Sequence, residues 1–147
     1  MIIDIKSILK KTGIGITTGV VIVSVATTIY TFNEMYQVGR NYDTHLTAKQ
    51  ALDVSNRNYN LVFYKKSCPY CQAAKQDVIK AGQKSDITTF YIDVNSKEGQ
   101  RLVSTYQLDH AYTLVIVRGD KVEKNLYALE VDNSIRANNK VIKKLYH

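Results

Sequence analysis

The sequence predicts an α/β domain, with a mixed sheet flanked by helices, preceded by a single membrane-spanning helix near the amino terminus. Two observations carry this prediction. An uncharged segment, residues 12–33, lies directly behind Lys6, Lys10 and Lys11. After it, short runs of β-branched and aromatic residues alternate with helix-like segments, as in strands joined by helices. A chain of 147 residues, 45% of them apolar, suffices for one such domain and the membrane segment.

The segment 12–33 is long enough to cross a bilayer. As a helix, its roughly 22 residues would span about 33 Å. It is only moderately apolar, and a buried helix of a soluble domain is the alternative. Basic residues ahead of an apolar run are typical of a signal anchor or a signal peptide. Ser24-Val25-Ala26 offers a cleavage site, but the apolar run continues through Phe32, so we favour an uncleaved anchor.

The basic residues on either side of this segment predict its orientation. The lysines lie before it, and only Arg40 and Lys49 lie within about 20 residues after it. We expect residues 1–11 to be a cytoplasmic basic tail and the rest of the chain to face outward from a bacterial cell membrane. Gly15 and Gly19 form a small-xxx-small pair that would seat a second helix in a weak homodimer, unless they reflect composition alone.

Charge limits the partners. Without Lys6, Lys10, Lys11 and Asp4, 17 basic and 12 acidic residues remain after the segment, a net charge of about +5 that favours anionic lipid or cell-wall polymer near the surface. No aromatic-basic motif typical of nucleic-acid binding accompanies the charge, so we expect no nucleic acid partner.

The remaining chain is predicted to form a stalk, residues 34–57, and a domain, residues 58–147. The stalk ends in a short helix with a capping-box pattern at Thr47 and Gln50. The domain has the element order β-α-β-α-β-β-α. Its predicted elements are a strand at 61–64, a helix at 69–81 stopped by Gly82, a strand at 88–94, a helix at 97–106, a strand at 111–117, a turn at 118–121, a strand at 122–129, and a helix at 132–146 with Ile135, Ile142 and Leu145 on one stripe.

Both cysteines, Cys68 and Cys71, lie where the first strand ends and its helix begins. Open α/β sheets place their chemistry at this edge. With Cys68 as the N-cap and Pro69 at the first helical position, the free amides of the first turn face the Cys68 sulfur and favour its thiolate. Lys65 and Lys66 are candidate thiolate-stabilising residues.

Cys71 is placed to resolve a mixed disulfide formed at Cys68. Three residues on, it lies over the same face of the helix and can attack Cys68 to release the partner. Ala74 and Val78 continue that face inward, so Cys71 should be the more buried thiol. We predict Cys68 as the nucleophile and Cys71 as the resolving thiol. Whether the pair oxidises, reduces or isomerises its substrates is left open.

A metal site and a structural disulfide are the alternative uses of the pair. A structural zinc ion needs four ligands, and His45, His110 and His147 are scattered along the chain. A disulfide that closes so short a loop stabilises little. We therefore expect redox exchange, with no metal and no cofactor.

The order of these elements resembles the thioredoxin superfamily over residues 58–147. A strand precedes CxxC at a helix start, then come a strand with YIDVN, a helix, and a strand with YTLVIVRGDKV. The CPYC motif, with Pro69 and Tyr70 at its centre, is usual in glutaredoxins, whereas the later strands look more like thioredoxins. The anchored, lysine-rich arrangement is similar to membrane-anchored thioredoxin-like and bacteriocin-accessory proteins of Gram-positive bacteria. The resemblance implies a thioredoxin-like fold and thiol-disulfide exchange.

Three positions depart from the family pattern. The family has a cis-proline where this chain has Tyr112, and because a cis bond before another residue costs about 3 kcal/mol, we expect a trans Ala111-Tyr112 bond. Val62 stands where thioredoxins bury an acid, and Thr89 where a lysine neighbours that acid. Both changes imply slow deprotonation of Cys71. The candidate substrate contacts are Tyr112, Ala111, Thr113 and His110.

Two functions are predicted. The first is a membrane-anchored, extracytoplasmic thiol-disulfide oxidoreductase that acts on thiols of secreted or cell-surface proteins and peptides. The alternative is a catalytically weak thioredoxin-like interaction module of a membrane export, bacteriocin or conjugation assembly. The CPYC motif favours the first, and Val62, Thr89 and Tyr112 favour the second.

Overall fold

The computed structural model describes residues 21–31 and 40–146. Residues 21–31 form a helix, α1, whose side chains are exposed. The rest of the predicted membrane segment, the basic tail 1–11 and the Gly15/Gly19 pair lie outside the described residues. Within the described ranges, no helix combines the length and the hydropathy needed to cross a bilayer. The chain divides into two compact units, Met1–Val38 and Gly39–His147.

A four-stranded mixed sheet forms the centre of the second unit. Its strands are β1 (Asn58–Tyr64), β2 (Thr89–Asp93), β3 (Thr113–Arg118) and β4 (Lys121–Leu126), in the spatial order β2-β1-β3-β4. Strands β1 and β2 are parallel, whereas β3 is antiparallel to both β1 and β4. Gly119, with a φ of 61°, closes the tight turn between β3 and β4. The predicted βαβ unit followed by an antiparallel hairpin is confirmed.

Helices cover both faces of this sheet. They are α2 (Ala48–Leu52), α3 (Pro69–Ala73), α4 (Lys75–Lys84), α5 (Lys97–Tyr106) and α6 (Asn139–Ile142), with 3-10 turns at Tyr42–Thr44 and Lys143–Tyr146. Because side chains alternate along β1, Leu61 and Phe63 face one side and Val62 and Tyr64 the other. The domain is thus a mixed sheet flanked by helices, as the predicted α/β class requires.

Two buried layers result. We call the layer under α2 and α5 the apolar layer; its buried members are Ala48, Ala51, Leu61, Phe63, Phe90, Ile92, Leu102, Val115 and Val117. We call the layer under α3, α4 and α6 the tyrosine layer; its buried members are Tyr42, Val62, Tyr64, Cys71, Ala74, Val78, Ile79, Ala81, Tyr91, Leu114, Ile116, Tyr127, Ala128, Ile142 and Leu145. The cysteine pair belongs to the second of these layers.

The helix predicted at 69–81 differs from the structure in two ways. It is interrupted at Ala74, which separates α3 from α4, and α4 continues through Gly82 to Lys84. Gly82 therefore does not stop the helix. A Cβ at this position would lie 2.1 Å from Tyr91 Oη, so the glycine is required by the close approach of that ring.

The carboxyl-terminal prediction is wrong between residues 127 and 138. Strand β4 ends at Leu126, and β5 (Ala128–Val131) and β6 (Ser134–Ala137) form a separate two-stranded sheet. Asp132 and Asn133 join them with φ angles of 50° and 57°, the positive values that a type I′ hairpin turn requires. Ile135 thus lies in β6 rather than on a helix. Ile142 and Leu145 are buried as expected.

The segment predicted as a stalk packs on the domain. Its helix, α2, is present, and the Thr47 amide donates to Gln50 Oε1 at 2.8 Å in the predicted capping box. Leu46 O accepts a hydrogen bond from Tyr91 N at 2.6 Å, which extends the edge of β2. Tyr42 is buried in the tyrosine layer. The described part of this segment, from residue 40 onward, therefore contacts both β2 and the tyrosine layer.

Candidate redox site

Cys68 occupies the position at the end of β1 that the sequence predicted. It is the N-cap of α3, with Pro69 at the first helical position, and its extended backbone (φ −85°, ψ 118°) turns the sulfur towards the helix. The Cys71 amide donates to Cys68 Sγ at 3.1 Å. The loop is held by Cys68 N, which donates to Lys65 O at 3.1 Å. The sulfur therefore has a fixed backbone donor where a thiolate would need one.

Cys71 is fully buried, whereas Cys68 is partly exposed. Both thiols are free. Burial, and then the hydrogen bond with Cys68, raises the pKa of the Cys71 thiol to about 12. The expected contrast between an accessible and a shielded sulfur is present in the geometry.

The two lysines ahead of the motif are exposed. Lys66 Nζ forms an ion pair with Asp43 Oδ2 at 2.9 Å, and the Asp43 pKa is lowered by this hydrogen bond. Asp43 comes from the 3-10 turn at Tyr42–Thr44, in a segment that sequence reasoning placed outside the domain. The ammonium group of Lys66 is thus paired with a carboxylate from the segment before β1.

Tyr70, inside the CPYC motif, stacks on Tyr112. The ring centroids are 4.5 Å apart and the planes differ by 13°. Tyr70 Oη donates to Glu130 Oε2 at 2.8 Å, which ties the motif to the β5-β6 hairpin, and this bond raises the Tyr70 pKa. His110 is exposed and lies 5.3 Å from the Tyr112 ring. The structure thus brings the predicted residues Tyr70, Tyr112 and His110 into one group of rings, and adds Glu130.

The backbone leading into β3 is largely engaged within the domain. All peptide bonds in the described residues are trans, so the Ala111-Tyr112 bond is trans as expected. Thr113 is buried and its Oγ1 donates to His110 O at 2.6 Å. Tyr112 O accepts from Tyr127 N at 3.2 Å. Ala111 and Tyr112 pack against the tyrosine layer.

The other two positions that depart from the family pattern, Val62 and Thr89, are both buried. Val62 is a fully buried member of the tyrosine layer, the same layer that contains Cys71. Thr89 Oγ1 accepts from Asn60 Nδ2 at 3.1 Å, and Asn60 also donates to Leu145 O. Neither position offers a group that takes up a proton.

Sequence reasoning missed two buried tyrosines in the layer that contains Cys71, Tyr42 and Tyr127. Tyr42 Oη donates to Cys71 O at 2.9 Å, and Tyr127 Oη donates to Phe63 O at 2.8 Å. Tyr127 belongs to the same buried layer as Cys71, and its phenol partly offsets the rise that burial gives the Cys71 pKa. No local motif marks either residue, since Tyr42 lies 29 residues before Cys71 and Tyr127 follows β4.

The candidate metal ligands do not converge. Within the described residues, no three side chains of His, Cys, Asp or Glu come together. Chemically, a free thiol pair with a backbone amide donating to one of its sulfurs is capable of disulfide exchange.

Comparison with known proteins assigns no family to this chain. No family model and no curated sequence matches the chain. Among solved structures, the J-Trx1 fragment of ERdj5 is similar, with a TM-score of 0.47, 14% identity, and coverage of 67% of this chain and 48% of that one. A thioredoxin from Thermus thermophilus gives a TM-score of 0.44 and 19% identity, covering 68% and 82%. The chain thus spans about half of the first structure's length.

Proposed function

We propose that this protein is a thiol-disulfide oxidoreductase with Cys68 as the nucleophile and Cys71 as the resolving thiol. The supporting observation is the hydrogen bond from Cys71 N to Cys68 Sγ, in a pair with one accessible and one buried sulfur. A donated amide hydrogen bond stabilises the thiolate, the reactive form. A fully buried thiol reacts best with a sulfur already delivered to its neighbour.

The exchange takes two balanced steps. The Cys68 thiolate attacks a partner disulfide, forms a mixed disulfide and releases one partner thiolate. The Cys71 thiolate then attacks Cys68 Sγ, forms the Cys68-Cys71 disulfide and releases the second partner thiolate, so the partner is reduced and the pair is oxidised. Run in reverse, the same steps oxidise a partner dithiol.

We further propose that the domain works outside the cytoplasm, anchored through residues 12–33, on thiols of secreted or cell-surface proteins and peptides. Support comes from the basic residues that precede the uncharged segment, and from the rule that such pairs find substrates in oxidising compartments. Protease added to intact host cells should then remove the carboxyl-terminal domain. Protection in intact cells, with cleavage only after lysis, would refute the outward orientation.

Trapping tests the exchange itself. The Cys71→Ser full-length chain, expressed in its host, should accumulate mixed disulfides that a non-reducing gel separates and reduction dissolves. The matched control is the Cys68→Ser chain, which should trap nothing because it lacks the nucleophile. Absence of trapped partners from Cys71→Ser, together with no insulin-reducing activity of the wild-type protein, would refute the oxidoreductase assignment.

A thioredoxin-like interaction module remains the second candidate. The Tyr70-Tyr112 stack and the bond from Tyr127 N to Tyr112 O favour it, because the stack covers one side of the Tyr70 ring and the Tyr112 carbonyl is already paired within the domain. Under this assignment, partners would co-purify with the Cys68→Ser, Cys71→Ser double variant as well as with wild type. Trapping through Cys68 alone would exclude it.

A further inference from the structure

Residues 40–43, which we call the strap, bond to the elements that carry the cysteine pair. Arg40 O accepts a hydrogen bond from Gln76 Nε2 at 3.1 Å, and Asn41 Oδ1 accepts one from Lys75 Nζ at 2.6 Å. Both donors belong to the first turn of α4. These two outer bonds hold the first half of the strap beside the junction of α3 and α4.

The second half of the strap contacts the cysteine motif itself. The Asp43 carboxylate forms the ion pair with Lys66, in the loop before the motif. Tyr42 Oη donates to Cys71 O at 2.9 Å, and this bond is buried. The Tyr42 ring stacks on Tyr64 with centroids 4.4 Å apart, which fixes its position. Burial raises the pKa of the Tyr42 phenol, so the hydroxyl stays protonated and able to donate well above neutral pH.

Helix α3 is too short to hold its own geometry. It comprises Pro69–Ala73, and the chain leaves the helix at Ala74 before α4 begins. Helices this short are marginal by themselves, so contacts from outside must fix the turn. Cys71 is held by both of its backbone polar atoms, because its amide donates to Cys68 Sγ at 3.1 Å and its carbonyl accepts from Tyr42 Oη.

We infer that Tyr42 is a positioning residue for the proposed exchange: by holding Cys71 O, its hydroxyl keeps the Cys71 amide directed at the Cys68 sulfur and thereby favours the Cys68 thiolate. The inference rests on the proposed function. A hydrogen bond to a charged sulfur depends on the direction of the donor as well as on the distance. Without the Tyr42 hydroxyl, the Cys71 carbonyl loses its buried donor, the turn shifts towards water, and the amide moves with it.

Removing the Tyr42 hydroxyl changes no charge near the motif. Strands β5 and β6 pack on α3, and the ring of Tyr112 stacks on that of Tyr70. Any change in the reactivity of Cys68 therefore comes from the position of the turn. The ionisable groups on the motif, on the loop before it, on these two strands and on the residues just ahead of β3 are Lys65, Lys66, Tyr70, Cys71, Asp109, His110, Tyr112, Glu130 and Arg136.

Alkylation of the full-length protein in detergent by iodoacetamide measures this effect, with the Cys68 adduct quantified by mass spectrometry. In Tyr42→Phe at pH 7, we expect Cys68 to react about threefold to tenfold more slowly than in wild type, because the hydrogen bond to the thiolate is weakened but not removed. The difference should close near pH 10, where an ordinary cysteine thiol is ionised without a donor. Slowing of the same size at every pH would indicate obstructed access, and would overturn the inference.

Ile92→Val is the matched control. Ile92 is fully buried in the apolar layer on the other face of the sheet, and the loss of one methylene group there should cost about as much stability as the loss of the Tyr42 hydroxyl. Alkylation of Cys68 should match wild type at every pH. Equal slowing in the two variants would mean a general loosening of the domain and would overturn the inference, as would equal rates in Tyr42→Phe and wild type.

The wild-type protein separates a failure of the inference from a failure of the proposed function. If Cys68 of the folded protein reacts no faster at pH 7 than Cys68 of the protein unfolded in urea, the proposed function fails and the inference fails with it. If the folded protein reacts faster but Tyr42→Phe has the same profile, the inference alone fails.

A second variant serves if Tyr42→Phe does not fold. The double variant Asn41→Ala, Gln76→Leu removes the two outer bonds of the strap and leaves the tyrosine layer intact. Its Cys68 should also react more slowly at pH 7 and recover near pH 10. An unchanged profile in this variant would overturn the inference.

Discussion

The buried layers on the two faces of the sheet differ in the number of polar side chains that they contain. In the apolar layer, Phe63 and Ile92 are fully buried and the buried members carry no hydroxyl. Hydroxyls appear only at its partly buried margin, where Tyr59 and Tyr106 bond each other at 3.0 Å. This arrangement is that of an ordinary core, stabilised by the burial of hydrocarbon.

The tyrosine layer instead places polar atoms at its centre. Tyr42 and Tyr127 donate to backbone carbonyls, and Tyr91 Oη has no partner among the described residues. Cys71 lies among them. Polar atoms in a core stabilise less than hydrocarbon unless every one is satisfied. The comparison teaches that the apolar layer mainly stabilises the fold. The tyrosine layer stabilises it less, because it buries polar atoms around a reactive thiol.

The largest expected effect comes from breaking the apolar layer. Phe63→Ala should lower the free energy of unfolding by about 3–5 kcal/mol, because a fully buried ring is removed and its cavity fills only partly. Urea unfolding followed by circular dichroism measures this loss. In the fraction that remains folded, the rate at which Cys68 reacts with Ellman's reagent, DTNB, should be unchanged, because the Phe63 side chain lies on the other face of the sheet. A loss below about 1 kcal/mol would show that this layer is not the main support.

Gly82→Ala should strain the tyrosine layer by about 1–3 kcal/mol, because the new methyl group would lie 2.1 Å from Tyr91 Oη. The double variant Gly82→Ala, Tyr91→Phe provides the control, since it removes the oxygen that the methyl group meets. Wild type, Gly82→Ala, Tyr91→Phe and the double variant form a double-mutant cycle. Their thermal and urea unfolding should give a coupling free energy of about 1 kcal/mol or more between the two substitutions. Additive losses would mean that the ring moves aside and that Gly82 is not required by Tyr91.

High pH should destabilise the tyrosine layer through Cys71. Its pKa is raised by burial from an ordinary 9.0 to about 12, so the folded state holds a proton that the unfolded state loses. This contribution is complete below pH 9.0 and declines as pH rises towards about 12, by at most about 1.4 kcal/mol per pH unit. Urea unfolding across this range measures the slope. Cys71→Ala should give a shallower slope, and an equal slope in both proteins would contradict the assignment.

The sequence was sufficient to predict those features of the molecule that depend on local residue patterns. The apolar runs of β1 and β3, the capping box at Thr47 and Gln50, and the cysteine at the start of α3 each follow from residues close together in the chain. The relative burial of Cys71 followed in the same way, from its spacing along the helix. Such features depend on periodicity and capping, which operate over a few residues.

What the sequence left open depends on contacts between distant segments. Tyr42 reaches Cys71 O because residues before β1 fold back on the sheet, and Tyr127 reaches Phe63 O from beyond β4. No local pattern encodes either contact. The β5-β6 hairpin was a different kind of miss, because Asp132 and Asn133 are residues that tolerate positive φ and were available as a turn signal.

The smallest expected effect on stability is also the sharpest test of the hydroxyl groups in the tyrosine layer. Tyr91→Phe should leave the protein unchanged or stabilise it by up to about 1 kcal/mol, because it removes a buried hydroxyl without a partner in the described residues. Tyr42→Phe is its matched counterpart and should cost about 1–2 kcal/mol, because it leaves Cys71 O without its donor. Urea unfolding of the two variants in parallel measures the difference. Equal costs would mean that Tyr91 Oη does find a partner in solution, and that the hydroxyls of this layer form one satisfied network.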